Sequence, residues 1–431
     1  MPPVESSELI ELQIGAVANG GWCVARHEGR VVFVRHTLPG ERVLARVTQE
    51  TKNFLRADAV EILEASPDRV QAPCPFAGPG RCGGCDWQHA SLPAQRLLKA
   101  EVVKEQLRRL AGVERDVIVE EVPGAPDGLG WRTRVQFAVR RDGVVGLRKH
   151  RSHQVEPIDE CLIAHPQVEA LGIERKRWPG ATGVEAVASA GTGDRLAVLS
   201  SKGRVRVPRM DAPVRLVGGK PDRRDRQDRS ARPERPPFVR EDVAGRLWQV
   251  SGSGFWQVHP GAAATLAEAV VDALEPRKTD IAVDLYCGAG LFAGVLGEAI
   301  GPSGLVVGIE SDAQAVRDAR FNLRDLPHVS VERGDVESVL QEIRFGRGES
   351  TLNRADLVVL DPPRTGAGRD VVKRVAELAG RRIAYVSCDP ATLARDLAFF
   401  SEHGWTLSGL RAFDAFPMTH HVECVATLVR G

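Results

Sequence analysis

Three short apolar runs in the last third of the chain each end in a group with chemistry, and few folds accommodate all three. Residues 281–285 lead through Asp284 into Tyr286-Cys287-Gly288-Ala289-Gly290. Residues 357–360 lead into Asp361-Pro362-Pro363-Arg364, and residues 383–386 into Ser387-Cys388-Asp389-Pro390. Apolar runs of this length, bounded by Gly and Pro, read as strands buried on both faces. Helical spacing recurs at 261–274, 292–300, 313–323, 370–378 and 391–400, with further strands at 305–309 and 329–333. Alternating strands and helices predict a doubly wound, mostly parallel α/β sheet over 243–431. Such sheets bind ligands outside the carboxyl ends of their strands, so the three runs describe one crevice. A lone cysteine is more often core than nucleophile, but Cys388 stands at one of three such strand ends.

The glycine turn is neither of two common nucleotide loops. Gly288-Ala289-Gly290 is followed by Leu291-Phe292-Ala293, which breaks the dinucleotide fingerprint, and no Gly-Lys-Ser/Thr follows as in a P-loop. The D-x-x-C-G-x-G pattern instead resembles the S-adenosylmethionine loop of class I methyltransferases, with Gly288 and Gly290 beneath the cofactor. An acid about 20 residues past such glycines holds ribose hydroxyls in nucleotide-binding sheets. Glu310 stands there, and Asp335, at the next strand end, is placed to meet an adenine amine. Asp361-Pro362-Pro363-Arg364 resembles the D/N-P-P-x element of base methyltransferases, where prolines fix the backbone. Alone, it allows amine methylation with Cys388 in the core. Such enzymes usually carry an aromatic residue after the prolines; here Arg364 stands there, and a cysteine follows one strand later.

The rest of the chain divides by composition. At 431 residues it suggests about two to four domains. Hydrophobic content of 43% and charged content of 27% exclude a disordered or membrane-embedded class. Net charge is +1, so a nucleic-acid partner must meet local basic patches. No apolar run approaches the ~18 residues of a membrane span, and the acidic start lacks a signal segment; a cytoplasmic monomer is expected, with reduced thiols. Residues 1–66 hold short strands between glycine turns and predict a small OB-like β-barrel. Residues 67–217 form a central α+β region, with a helix near 92–110 and strands through Trp131–Val155 that turn at Asp142-Gly143. That stretch carries Arg132, Arg134, Arg140, Arg141, Arg148, Lys149, His150 and Arg151, a candidate RNA or DNA contact surface. Residues 218–242 open on a low-complexity Arg/Asp/Pro tract and read as a linker or insertion.

Cys74, Cys82, Cys85 and Cys161 remain. Seven residues separate the first pair and two the second, within a Pro/Gly-rich segment that has little core to bury them. Four thiolates suit zinc or a [4Fe–4S] cluster, and ligand count alone leaves both open. The spacing is not the radical C-x3-C-x2-C triad.

Taken together, DLYCGAG, LDPPR, SCDP and the terminal HHVE resemble the RNA (uracil-5-)-methyltransferase family in their order along the chain. The first domain is similar to a TRAM domain, and the Cys-rich segment to the family's iron–sulfur, ribosomal-RNA branch. The resemblance implies S-adenosylmethionine-dependent C5-methylation of one uridine, in 23S ribosomal RNA, to 5-methyluridine. Cys388 matches the nucleophile, Glu423 the base that removes the C5 proton, and Asp361 a contact to the uracil edge. Gln257, Tyr286, Gly288, Gly290, Glu310, Asp335 and Asp361 match the cofactor side. The four cysteines match cluster ligands, whereas Cys287 and Cys424 read as structural. Leu291 and His259 depart from the family pattern, and Arg364 is left to anchor phosphate or order its loop. Transfer-RNA uridine methylation, base N-methylation and a non-catalytic RNA-binding role are the alternatives.

Overall fold

The computed structural model describes residues 9–217, 220–221, 236–252, 254–342 and 354–431. Of the low-complexity tract at 218–237, residues 218–219 and 222–235 lie outside the described residues. Strand Leu9–Gln13 alternates exposed and buried residues, with Ile10 and Leu12 inward, as period-two patterning requires. It pairs with Arg42–Glu50 in a six-stranded sheet that runs on through Phe54–Glu64, Arg30–Arg35, Trp22–His27 and Val17–Ala18. The sheet curls shut past its first strand, where Gly15 N donates to Val24 O (2.8 Å) and Val24 N to Ala16 O (2.9 Å). Ile10, Leu12, Val32, Val34, Val43 and Ala45 fill the barrel.

Helix Leu92–Gln106 starts at Ser91, whose Oγ accepts from Ala94 N, and it ends in a π-turn, Leu107–Ala111, before Gly112 at φ 66°. The expected hairpin forms between Arg134–Val139 and Val145–Arg148, with Val144 N donating to Asp142 Oδ1. It belongs to a second six-stranded sheet. Phe238–Val243, assigned partly to the linker by composition, pairs with Arg246–Ser251 in an antiparallel hairpin.

The sheet of the last third of the chain has eight strands. Their spatial order is Val329–Arg333, Leu305–Glu310, Ile281–Leu285, Ala355–Leu360, Ala379–Ser387, Glu423–Arg430, Trp405–Asp414 and Val119–Glu121. Glu423–Arg430 runs antiparallel to both neighbours, and the other pairs are parallel. Strand order reverses between Ile281–Leu285 and Ala355–Leu360, the switch point where open sheets bind ligands. One face is covered by Ala262–Leu274, Leu291–Ile300 and Ala313–Asn322. Gly368–Leu378, Pro390–Glu402 and helix Leu92–Gln106 cover the other. Two elements had no place in the sequence reading. Trp405–Asp414 is a strand, and Val119–Glu121, from the central region, adds an edge strand to the eight-stranded sheet. No helix among the described residues is long and apolar enough to cross a membrane.

Candidate active site

The register places the motif ends in one row. Leu285 pairs with Ile309 on one side and Leu360 on the other, and Leu360 pairs with Tyr385. Tyr286, Glu310, Asp361 and Ser387-Cys388 therefore leave the sheet along the same edge. Tyr286 sits at φ 65°, a conformation that costs a non-glycine residue about 1–3 kcal/mol and tends to persist at functional sites. Gly288 has φ +53°, and a Cβ built there meets nothing within 4 Å, so open space lies over the turn. Gly290 has φ +94°, and its missing Cβ would lie 2.9 Å from Leu323 Cδ1, so here the demand is helix packing.

Glu310 braces this turn. Its Oε2 accepts from Gly288 N (3.0 Å) and its Oε1 from Asp312 N (2.7 Å). Asp335 is exposed and caps helix Val336–Glu342 through Ser338 N (3.1 Å). Asp284, fully buried, accepts from Ala293 N (2.8 Å) and so ties its strand to the first turn of the next helix. Burial raises its pKa well above the usual carboxylate range.

Cys388 and Glu423 face each other across the central strands. The ladder ends on Ser387 paired with Cys424; Cys388 follows that pair on one strand and Glu423 precedes it on the other. Burial pushes the Cys388 thiol up to about 12, with Glu423 and Asp361 adding to the rise and Arg364 opposing it. Glu423 is raised well above its ordinary value by burial and by Asp361, again against Arg364. Asp361 is raised to about 7 by burial. Two carboxyls and a thiol thus share a desolvated corner in which one guanidinium favours the charged forms. Arg364 is exposed, and its Nη2 donates to His421 Nε2 at 3.3 Å.

Gln257 is buried in a loop docked on the central region, where Val258 O accepts from Thr133 N (2.8 Å) and Oγ1 (2.9 Å). His259 takes a packing role: its ring stacks on Trp131 with centroids 6.0 Å apart, and its Nδ1 accepts from Gly261 N. Burial lowers its pKa to about 4. Cys287 and Cys424 are buried.

The four other cysteines converge. Cys74, Cys82, Cys85 and Cys161 line one cavity of about 220 Å³, together with Phe76, Leu147 and Arg132. No three His, Cys, Asp or Glu among the described residues stand close enough to hold a single metal ion. Sequence reasoning missed His420, His421 and Asp86 as a group. Asp86 Oδ2 lies 2.6 Å from His420 Nδ1, although 334 positions separate them in the chain. The only signals were the HHVE run and an acid directly after Cys85.

The catalytic region matches the family model described as tRNA (Uracil-5-)-methyltransferase over residues 242–431, and residues 4–60 match the TRAM domain. A protein of Streptomyces coelicolor described as an uncharacterized RNA methyltransferase is 54% identical, across 98% of this chain and 93% of its own length. One from Corynebacterium efficiens, described in the same words, is 35% identical across 100% and 96%. The crystal structure of Pyrococcus abyssi tRNA (uracil-54, C5)-methyltransferase in complex with S-adenosyl-L-homocysteine shares the fold. Its TM-score is 0.69 at 22% identity, covering 97% of this chain and 100% of that one. With relatives aligned across nearly its whole length and a TRAM domain ahead of the matched catalytic region, the chain belongs to the RNA (uracil-5-)-methyltransferase family and is an S-adenosylmethionine-dependent enzyme that methylates uridine in RNA at C5.

Proposed function

We propose that Cys388 is the nucleophile, Glu423 the base and Asp361 the group that receives the uracil edge, and that the substrate is one uridine of 23S ribosomal RNA. The observation that carries this reading is that Cys388 and Glu423 flank the last paired residues, Ser387 and Cys424, on adjacent strands, beside the open turn at Gly288. C5 of uracil is a poor nucleophile. A Cys388 thiolate added at C6 makes the ring an enolate and gives C5 the electron pair it needs. S-adenosylmethionine supplies the methyl group that C5 takes. Glu423, ionised at that stage, accepts the C5 proton, and the electrons of that C–H bond expel Cys388. Both C5 and C6 must be reached, so the base leaves its stack. Glu310 and Asp335 are assigned to the ribose and adenine of the cofactor, Tyr286 and Gln257 to its flanks, and Gly288 and Gly290 to the turn beneath it.

The four cysteines are assigned to a [4Fe–4S] cluster. A zinc ion needs four ligands about 2.0–2.3 Å from one point, whereas these thiols surround a cavity of about 220 Å³. Arg132 on its wall suits an anionic group. A cluster there would clamp a segment that otherwise lacks regular structure. The ribosomal-RNA target rests on this quartet.

The test is RNA carrying 5-fluorouridine. Fluorine cannot leave C5 as a proton does, so the Cys388–C6 adduct persists and survives denaturing electrophoresis. Wild type is expected to form it and Cys388→Ala is not. A mass map of 5-methyluridine in cells with and without the protein locates the target. Loss from transfer RNA alone overturns the ribosomal assignment and leaves the chemistry standing. Methylation by Cys388→Ala overturns the nucleophile.

A further inference from the structure

Residues 415–422 connect strand Trp405–Asp414 to Glu423, and the fastenings of this loop lie largely outside the catalytic domain. Asp86 N and Trp87 N both donate to Met418 O, at 2.9 and 3.0 Å. Met418 N donates to Gln95 Oε1 at 2.7 Å, and Met418 itself is held at φ 67°. The Asp86 carboxylate then takes the next residue but one: Oδ2 accepts from His420 N (3.2 Å) and from His420 Nδ1 (2.6 Å). The barrel closes the other side, since a Cβ on Gly21 would come within 2.8 Å of His420 Cβ.

The His420 ring centroid lies 4.0 Å from that of His421, whose Nε2 accepts from Arg364 Nη2. Burial, His420 and Arg364 lower the His421 pKa to about 3, so it stays neutral and keeps its acceptor. Among Asp86, His420, His421 and Arg364, Arg364 alone is exposed, on a flexible stem that needs a holder. It is also the cation that favours the charged forms of both Cys388 and Glu423.

We infer that Asp86 is a positioning residue for methyl transfer: through His420 and His421 it holds Arg364 beside Cys388 and Glu423, joining the cysteine loop to the reacting pair. This rests on the roles given to Cys388 and Glu423 above. Asp86 directly follows Cys85, so whatever orders the cysteine loop also orders the far end of the active site. The link is mechanical and needs no electron transfer.

A purely structural role for Asp86 predicts loss of folded protein with unchanged turnover per folded molecule. The positioning role predicts lower turnover per folded molecule. Asp86→Ala is expected to lower kcat by about 10- to 100-fold, the scale of a small misplacement of reacting groups. Some loss of stability is expected, since Asp86 is a partner of His420 and of buried Arg35, while KM for RNA, S-adenosylmethionine affinity and iron content per folded molecule are expected to stay near wild type. Asp86→Asn, which keeps an oxygen acceptor for His420, is expected to recover most of the loss. In an Arg364→Ala background, Asp86→Ala is expected to add little, because both act at one point. Unchanged kcat in Asp86→Ala, or a loss that multiplies fully with that of Arg364→Ala, overturns the inference. If Asp86→Ala loses iron or unfolds, His420→Phe carries the same test, since it spares the cysteine loop and keeps a ring against Gly21. Cys388→Ala run alongside separates the two readings: if it still methylates, the catalytic assignment falls, whatever Asp86 does.

Discussion

Lys99 Nζ lies 2.5 Å from Asp414 Oδ1, and both side chains are buried. The same nitrogen donates to Phe416 O at 3.0 Å. The pair joins helix Leu92–Gln106, from the central region, to the end of the strand that precedes the Glu423 loop. Breaking a buried pair by removing one partner leaves an uncompensated charge and costs about 3–5 kcal/mol. Lys99→Met should therefore lower unfolding stability by about that amount. Lys99→Met with Asp414→Leu should recover much of it, because neither charge is then left alone. Urea unfolding of the two variants checks this, and a double variant no more stable than the single one would refute it.

Cys388 offers a pH test. A thiol with a pKa of about 12 is protonated at neutral pH, and its thiolate fraction rises tenfold per pH unit until the pKa is reached. In the free enzyme, alkylation of Cys388 at pH 8 should be on the order of 10- to 100-fold slower than that of an unperturbed thiol, after allowing for the greater nucleophilicity of a high-pKa thiolate. The logarithm of the rate should climb with unit slope between pH 7 and 10. Arg364→Ala removes the cation that favours the thiolate and should slow the reaction further. Peptide mass mapping after timed iodoacetamide exposure reads both effects, and a flat pH profile would show that access, not ionisation, limits the thiol.

The two glycines of the turn should separate stability from binding. Gly290→Ala places a methyl 2.9 Å from Leu323 Cδ1 and 3.3 Å from Ala319 Cβ, at a φ that side chains avoid. Overpacking of that kind costs about 1–3 kcal/mol. Gly288→Ala meets nothing in the protein, so only the backbone cost remains, about 1–2 kcal/mol, while its methyl projects into the space assigned to the cofactor. Thermal melting should rank Gly290→Ala below Gly288→Ala. Calorimetric titration with S-adenosylmethionine should show the larger affinity loss in Gly288→Ala, relative to its stability loss. Equal affinity in Gly288→Ala and wild type would remove the cofactor from above the turn.

What the sequence made legible follows from how each element is held. Buried parallel strands must be apolar on both faces, so 281–285, 357–360 and 383–386 stand out, and their chemistry follows at the next residue. Trp405–Asp414 was missed because only its ends are buried; its middle, with Ser408, Gly409 and Arg411, is partly exposed and breaks the pattern. Val119–Glu121 is a three-residue strand whose place depends on pairing with Ala412–Asp414, almost three hundred positions away. The Asp86–His420 contact has no local signature either, since neither residue disturbs the periodicity of its own segment. Helix α-type spacing and strand-end motifs are local facts; the cross-domain clamp on the Glu423 loop exists only after folding.

The cysteine quartet gives the last prediction. All four thiols line one cavity, but they contribute from two separate segments, 74–85 and 161. Cys161 is buried, its pKa raised to about 12 by that burial, and Cys161 N donates to Glu169 Oε1. An uncharged buried thiol is a modest hydrophobe, so if the cavity holds nothing, Cys161→Ser should cost little more than one buried methylene, about 1 kcal/mol. If the four residues ligate one cluster, the same change removes a strong bond between the two segments. It should then strip most of the iron and acid-labile sulfide from protein purified without oxygen, and lower the melting temperature well beyond a Cys23→Ser control, whose thiol lies in the barrel core away from the cavity. Iron and sulfide per chain, measured before any activity assay, separate the cases. Four of each in wild type and a loss in all four single variants establish the cluster; stoichiometric zinc without sulfide would replace it by a zinc site.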